Sequence, residues 1–599
     1  MIRQNHEEWW QKHGQHYWTL RKHQPTDDQK RIIYEAITAY KNGYKNIVIH
    51  AGVGLGKSAI ATTLMRIFDD SYILTKDTQL QDQYMNDYHN YMVELKGRRH
   101  YDCHYGGSCD NCYIKYVNEH KTPDLSLRLK LLNTHGRHFE YAHPLDEIYD
   151  DDGDIDDDLP DRVREYWEKI SNMKLWYCND CKYQVARKEA RDTDYVIANY
   201  HSLYFNSCVY RFFNPRAAIF FDECHNIEKL VTDWFKITIS PSNIYDDYDI
   251  DVFEDKLYSE LDDIDYWIHI FKEIILKLKI MEEKEIEEFK GILDDNYLDK
   301  IKQDYEDKQS RYKRYIDLLQ EEYCILLPSE ADIYNDDKNT IILEPVFSKN
   351  LADNLLNMGE VRFFLSGTLP DYEQYFRELG IDVNDIYYIP AESSYVKSNR
   401  PIVFKPLGNF SSRYNHFENG RIVYAYEHPS VIEGLRDILD KYPDDNVVIF
   451  TESIDQTEYL CDELYEYHPL SAYGDSRNDN IDLFKFNQEY NLLISPSISE
   501  GVDFKGDYCT VQIIFKMPYP VPIGRIKHRL EAYKDWDYYN NLVLIKLEQM
   551  YGRSIRGPDD KCITYIVDSA FNNLLNKYPK FSNYFSTGLE AGELVTNGE

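Results

Sequence analysis

Short apolar runs alternate with charged, amphipathic stretches along most of the chain. Toward the N-terminal side, Asn46-Ile-Val-Ile-His50, Ser71-Tyr-Ile-Leu-Thr75 and Ala217-Ala-Ile-Phe-Phe221 are unbroken by charge and rich in β-branched or aromatic residues. Such runs suit strands of a parallel sheet covered on both faces, and each ends where a polar segment begins. A later series, Val361-Arg-Phe-Phe-Leu365, Val447-Val-Ile-Phe450, Leu492-Leu-Ile-Ser495, Val511-Gln-Ile-Ile-Phe515 and Ile563-Thr-Tyr-Ile-Val567, alternates with charged helical stretches and predicts a second α/β unit.

Two inserts break the first unit. Residues 97 to about 188 carry five of the cysteines and the run Asp146-Glu-Ile-Tyr-Asp-Asp-Asp-Gly-Asp-Ile-Asp-Asp-Asp158, which is too charged for a core and predicts a solvated loop. Residues 236 to 340 are rich in Asp, Glu, Lys and Tyr, and patterns such as Tyr266-Trp-Ile-His-Ile-Phe-Lys-Glu-Ile-Ile-Leu-Lys-Leu278 predict long helices. No fixed-period repeat and no Gly/Ser linker occurs.

Composition bounds this picture. At 599 residues and 43% apolar content the chain exceeds one hydrophobic core, so several domains are expected. No apolar stretch is long enough to span a bilayer and the N-terminus lacks a signal-peptide core, so a soluble, intracellular protein without membrane association is expected. The net charge of −36 argues against a broadly basic polyanion-binding surface, although binding needs only locally clustered cations.

The most informative chemistry lies between a predicted strand and a predicted helix. Gly52-Val-Gly54-Leu-Gly56-Lys57-Ser58 follows the first apolar run and precedes Ala59-Ile-Ala-Thr-Thr-Leu-Met65. Glycines there let backbone amides close around phosphate oxygens at the positive end of a helix, Lys57 reaches the β/γ-phosphates and Ser58 can hold Mg²⁺. An ATP site is therefore expected. Phe221-Asp222-Glu223-Cys224-His225 ends another buried strand with the carboxylates such a site needs, Asp222 for Mg²⁺ and Glu223 for the attacking water. Gln549-Met-Tyr-Gly552-Arg553-Ser-Ile-Arg556 adds two arginines, which on a helix would share one face and stabilise charge developing on the phosphates.

These segments fall in the order of a superfamily 2 helicase, and the chain resembles its XPD/DinG-like iron–sulfur branch. Pro25-Thr-Asp-Asp-Gln29 resembles the adenine-reading Q element, and Leu74-Thr75 through Gln83 the strand-end motif that contacts the nucleic-acid backbone. Asp222-Glu-Cys-His225 is a DEAH box with Cys for Ala, and Ser366-Gly367-Thr368 resembles the motif coupling hydrolysis to movement. Ile498-Ser-Glu-Gly501-Val-Asp503-Phe504 and Gln549 to Arg556 resemble the last two motifs, with Gly501 and Asp503 in the nucleotide site. Gly97 to Cys103, Cys181 to Arg187 with Asn199-Tyr200-His201, and Asn399-Arg400-Pro401 are the branch-specific pieces.

The resemblance implies two RecA-like parallel-sheet domains, the first from segments 1–96, 189–235 and 341–370, the second 371–599. It also implies a cluster insert (97–188), a helical arch-like insert (236–340), and 5′-to-3′ motion on single-stranded DNA to unwind forked or tailed duplexes. By position, Cys103, Cys109, Cys112 and Cys181 resemble the ligands of a [4Fe–4S] cluster, with Cys178 as an alternate that would displace one of the middle pair. Zn²⁺ held by Cys109, Cys112, Cys178 and Cys181 remains open, since two C-x-x-C pairs also suit zinc. Lys96, Arg98, Arg99, Arg187, Lys188 and Arg191, which flank the cysteines, are candidate strand contacts. Thr26 replaces the usual Arg of the Q element, and Asp568-Ser-Ala570 lacks a basic residue often found after the last strand. The acidity also admits an ATP-switched scaffold with protein partners in a larger assembly, and the cysteines admit redox sensing.

Overall fold

The computed structural model describes residues 2–20, 23–52, 54–102, 181–209, 211–253, 261–290, 295–327, 340–391, 395–418, 421–487, 489–498, 502–504, 506–555, 557 and 559–596. In chain order its strands are β1 Asn46–Ala51, β2 Ser71–Thr75, β3 Val93–Leu95, β4 Tyr195–Asn199, β5 Arg216–Asp222, β6 Ile237–Ile239, β7 Tyr323–Leu326, β8 Ile341–Pro345, β9 Gly359–Ser366 and β10 Ile386–Ala391. They continue as β11 Ile402–Gly408, β12 His416–Glu418, β13 Arg421–Val423, β14 Val447–Phe450, β15 Leu470–Ser471, β16 Leu492–Ser495, β17 Val511–Ile514 and β18 Ile563–Asp568. One seven-stranded sheet runs β10-β1-β9-β5-β2-β4-β3, and a six-stranded sheet runs β11-β18-β17-β14-β16-β15. The expected pair of α/β parallel sheets is thus present.

The chain divides into two compact units, one of Met1–Ile37, Ser58–Asp222 and Asn354–Phe363, the other of Thr38–Lys57, Glu223–Asp353 and Phe364–Glu599. In the first unit, β2 pairs in parallel with both β4 and β5, and β3 with β4. Every residue of β2 is buried, which is why its sequence is an apolar run without alternation. Phe220 stacks on Phe363 with ring centroids 4.6 Å apart, and each such buried ring contributes about 2 kcal/mol by leaving water. Arg216, 7% exposed, is the one cation buried at the strand starts here among the described residues. Its guanidinium donates to the carbonyls of Ser71 (3.1 Å), Ala190 (3.0 Å), Thr193 (2.7 Å) and Asp194, and stacks over Tyr72. A charged donor meeting four acceptors answers its own desolvation cost and ties β2, β5 and the Lys182–Asp192 helix together.

In the second unit the six-stranded sheet is parallel throughout, and Val447–Phe450 and Leu492–Ser495 are buried at every position. The 236–340 region is not wholly helical. Its helices Ile264–Phe289 and Asp295–Leu318 form an antiparallel hairpin, because Phe271 meets Tyr312 and Tyr315 near one end while Glu285 meets Tyr305 farther along. Beneath it β6 and β7 pair antiparallel with β8 in a small sheet that the charged pattern concealed. Arg525 makes a two-pronged pair with Glu228 (2.8 and 3.2 Å), and Arg529 does the same with Glu378 (2.7 Å each) while stacking on Tyr538. Removing one partner of such a buried pair costs about 3–5 kcal/mol, because the other charge is stranded.

Two strand assignments need correction. β9, grouped by its pattern with the later strands although the resemblance put 341–370 in the first domain, lies in the seven-stranded sheet. β10 falls beyond residue 370, where the first domain was expected to end, yet pairs in parallel with β1 from Asn46↔Ile386 to Ala51↔Ala391. Strand order in a sheet is set by the crossovers between strands, here through the Tyr372–Glu378 helix, and periodicity does not encode it.

Glu548, 3% exposed on the Trp536–Tyr551 helix, accepts a 2.7 Å bond from the Ser582 amide. Burial pushes its carboxyl up to about 7, only partly offset by Ser582. An unfolded glutamate ionises near pH ~4.3, so the native state is penalised as pH rises from there through about 7 and not below. Glu548→Gln should therefore raise stability by about 3 kcal/mol at about pH 8 and change it little at about pH 4, measured by urea unfolding at the two pH values.

Candidate active site

The phosphate loop begins at the buried end of β1. Gly54 (φ +82°) and Gly56 (φ +71°) occupy the left-handed region that L side chains rarely adopt, so the loop turns its amides inward as only glycine allows. A Cβ on Gly54 would also collide with the Tyr395 hydroxyl. The helix that follows, Lys57–Met65, is buried from Ala59 to Met65, which pins its N-terminus behind the loop.

Within the first unit, Ser58 and Asp222 meet at one residue that the sequence reading did not single out. The Tyr84 hydroxyl donates to Asp222 Oδ2 at 2.8 Å and is also hydrogen-bonded to Ser58. Burial first, then Asp222, pushes the Tyr84 phenol well up, so it stays a donor. Tyr200 donates to the Asp222 backbone carbonyl at 2.8 Å. Asp222 is 2% exposed, and its other oxygen together with the Ser58 hydroxyl forms a hard-oxygen donor set of the kind Mg²⁺ takes. Tyr84 was indistinguishable by pattern from the other tyrosines of a Tyr-rich chain.

Within the second unit, Lys57 Nζ lies 3.0 Å from Glu223 Oε1. Glu223 itself stands at φ +51°, ψ +48°, a left-handed conformation that costs a non-glycine residue on the order of 1 kcal/mol. Enclosure pushes its carboxyl up, but Lys57, His225 once its ring is protonated, and Arg553 outweigh this and hold it down at about 2. Glu223 is therefore ionised at any working pH.

The bond chain continues through His225. Its Nδ1 lies 2.8 Å from Ser366 Oγ, 3.2 Å from Thr368 Oγ1 and 3.4 Å from Glu223 Oε2. Its Nε2 faces the amide nitrogens of Gln549 (2.6 Å) and Asn226 (3.0 Å). Two donors on Nε2 make it the acceptor and leave the proton on Nδ1, directed at Ser366 and Glu223. Four separate motifs, 57, 223–225, 366–368 and 549, are thereby one hydrogen-bonded set.

Other expected positions fall as follows. Arg553 is not on a helix face, because the helix ends at Tyr551 with Gly552 as its cap, but its charge reaches Glu223 and its carbonyl accepts from the Phe504 amide at 3.2 Å. Asp503 is exposed between buried Val502 and Phe504. Gln29 and Thr26 form a capping box at the start of the Asp27–Lys41 helix: Gln29 Oε1 accepts from the Thr26 amide (2.9 Å) and Thr26 Oγ1 from the Gln29 amide (3.2 Å). Cys181 precedes the Lys182–Asp192 helix. Cys103, Cys109, Cys112, Cys178, Gly501, Arg556 and the acidic run lie outside the described residues. Of the basic candidates, Lys96 pairs with Asp82 and Glu94, Arg98 stacks on Tyr183, and Arg187 and Arg191 stack on Phe212.

Residues 435–588 match the helicase C-terminal domain family. No curated protein matches the chain in sequence. The fold is similar to that of an XPD helicase structure (TM-score 0.52, 16% identity, 92% of this chain and 97% of that one). It is similar also to Xpd4 of S. tokodaii (TM-score 0.50, 15% identity, 93% and 98%). The C-terminal segment thus matches a helicase family, and the fold as a whole is like that of XPD helicase structures, in line with the resemblance.

Tyr84→Phe leaves the buried Asp222 carboxylate without its hydroxyl donor and should cost about 1–3 kcal/mol in urea unfolding. A loss no larger than that of an exposed control such as Tyr465→Phe would show that Asp222 does not depend on Tyr84.

Proposed function

We propose that this protein is an ATP-dependent DNA helicase that moves along single-stranded DNA, 5′ to 3′, and unwinds forked or tailed duplexes in repair, recombination or replication. The observation that carries the reading is the set Lys57–Glu223–His225–Gln549. It joins the phosphate loop to a residue inside the helicase C-terminal segment, so a change at the nucleotide has a bonded route to that segment.

Lys57 and the loop amides bind the triphosphate. The entry of a γ-phosphate draws Lys57 away from Glu223, which is then free to accept a proton from the attacking water. Arg553 neutralises charge on the phosphoryl oxygens, with Arg556 as a second cation. Ser58 and Asp222 would hold Mg²⁺, which supplies electrostatic relief at the β- and γ-oxygens when bound. His225, proton on Nδ1, reports the state of Glu223 to Ser366 and Gln549.

The 5′-to-3′ direction and the iron–sulfur site rest on the family resemblance. Thiolates are the donor type both [4Fe–4S] and Zn²⁺ take, and the ligands would be Cys103, Cys109, Cys112 and Cys181, with Cys178 as alternate.

Anaerobically purified protein should hydrolyse ATP faster with single-stranded DNA than without, and contain about four irons per chain. Lys57→Ala and Glu223→Gln should each lower that turnover by about 10²-fold or more, and Arg553→Ala by on the order of 10³. Gln549→Ala should lose more unwinding of a 5′-tailed duplex than hydrolysis. Turnover indifferent to DNA would favour the acidic chain as an ATP-switched scaffold, and zinc in place of iron would replace the cluster.

A further inference from the structure

The Ser58 hydroxyl and the Asp222 carboxylate, the pair suited to Mg²⁺, are joined through Tyr84, and the direction of the protons along that chain follows from valence. A carboxylate only accepts, so the single proton of the Tyr84 hydroxyl goes to Asp222 Oδ2 at 2.8 Å. The bond between Tyr84 and Ser58 must then run the other way, with the Ser58 hydroxyl donating to the phenol oxygen. A serine that gives its proton to Tyr84 keeps its lone pairs for a metal, and a carboxylate with Oδ2 engaged offers the metal its other oxygen. Successive bonds of this kind polarise one another, which makes the Ser58 oxygen the better ligand.

The phenol is held firmly enough to set where those ligands lie. Tyr84 is fully buried on the Thr78–Tyr88 helix, whose N-cap Asp77 accepts from the Leu80 amide at 2.9 Å. Gln81 of the same helix is also fully buried and donates to the Leu95 and Ile197 carbonyls (3.0 and 3.3 Å), which fixes the helix against β3 and β4. The Tyr88 ring lies 5.9 Å from that of Tyr84, one turn away. On the other side, Thr62 Oγ1 donates to the Ser58 carbonyl at 2.7 Å, and Tyr200 donates to the Asp222 carbonyl. A phenylalanine would fill the space of Tyr84 equally well, so what its hydroxyl adds is the two bonds to Ser58 and Asp222.

Resting on the ATP-site reading above, we infer that Tyr84 is a positioning residue for the metal: its hydroxyl receives the Ser58 proton, gives its own to Asp222, and so keeps both oxygens available as ligands at a fixed separation. It acts through those ligands and not on the nucleotide itself. Partners that orient metal ligands in this way carry about 10- to 100-fold in metal affinity or activity. The expected signature is therefore a changed demand for metal, with turnover recovered once metal is saturating.

The test uses the full chain as wild type, Tyr84→Phe, Tyr88→Phe, Ser58→Ala and Asp222→Asn. Each is titrated with Mn²⁺, read by electron paramagnetic resonance, in the presence of a non-hydrolysable ATP analogue, and the Mg²⁺ concentration giving half-maximal ATP hydrolysis is measured in parallel. Tyr84→Phe should weaken Mn²⁺ binding and raise the half-maximal Mg²⁺ by about 10-fold or more, with most of the turnover regained at saturating Mg²⁺. Tyr88→Phe, which loses a buried hydroxyl on the same helix, should move neither midpoint. If Tyr84→Phe lowers the folded fraction or the plateau and leaves both metal midpoints unchanged, or if Tyr88→Phe shifts them as much, the inference is overturned. Ser58→Ala and Asp222→Asn separate the two readings: if neither weakens metal binding, the metal site itself is misplaced, whereas if they do and Tyr84→Phe does not, only the role of Tyr84 is removed.

Discussion

A lysine and a glutamate 3.0 Å apart tie the glycine-rich loop after β1 to the turn that carries His225. The loop that carries Lys57 is built from glycines in left-handed conformations, and Glu223 is itself left-handed, so neither group stays in place through local preference. Their attraction, with Arg553 contributing, keeps the carboxylate charged despite its enclosure. On the proposed function, an incoming γ-phosphate would compete for the same ammonium, and the groups bonded to Glu223 would feel the exchange.

The elements behind the pair are arranged so that few buried polar groups go unmet. Tyr84 serves Asp222 and Ser58 together, and Arg216 serves four carbonyls at the strand starts. Arg525 and Arg529 are each matched with a carboxylate in the second unit. These charged bonds add little net stability over apolar packing, but each is expensive to break, which favours one arrangement over its near alternatives. Glu548 departs from this pattern: a buried carboxyl hydrogen-bonded by Ser582 and raised by its burial, one residue from Gln549.

Apolar runs and glycine spacing were enough to locate both parallel sheets and the phosphate loop, because a strand buried on both faces has to be apolar and a loop closing on phosphate has to be glycine-rich. Ser71–Thr75, Val447–Phe450 and Leu492–Ser495 match their predicted bounds. Asp222 and Glu223 were legible from their place after a buried strand, whereas the helical face drawn for Arg553 was not real, since Gly552 stops the helix first. The β6-β8-β7 sheet was hidden because its strands are short and lie among charged helical sequence.

The chain alone specified which residue types occur and which stand next to one another: Lys57 after its glycines, Glu223 beside Asp222, Gln549 near Arg553. Folding settled which distant residues touch. His225 meets Gln549 across 324 positions and Tyr84 meets Asp222 across 138, and no local pattern carries such pairings. The meeting of Tyr372, Tyr388 and Arg400 around one cavity likewise follows from the crossover that brings β10 beside β1. Periodicity reports burial, which is local. Register and contact depend on how the whole chain closes on itself.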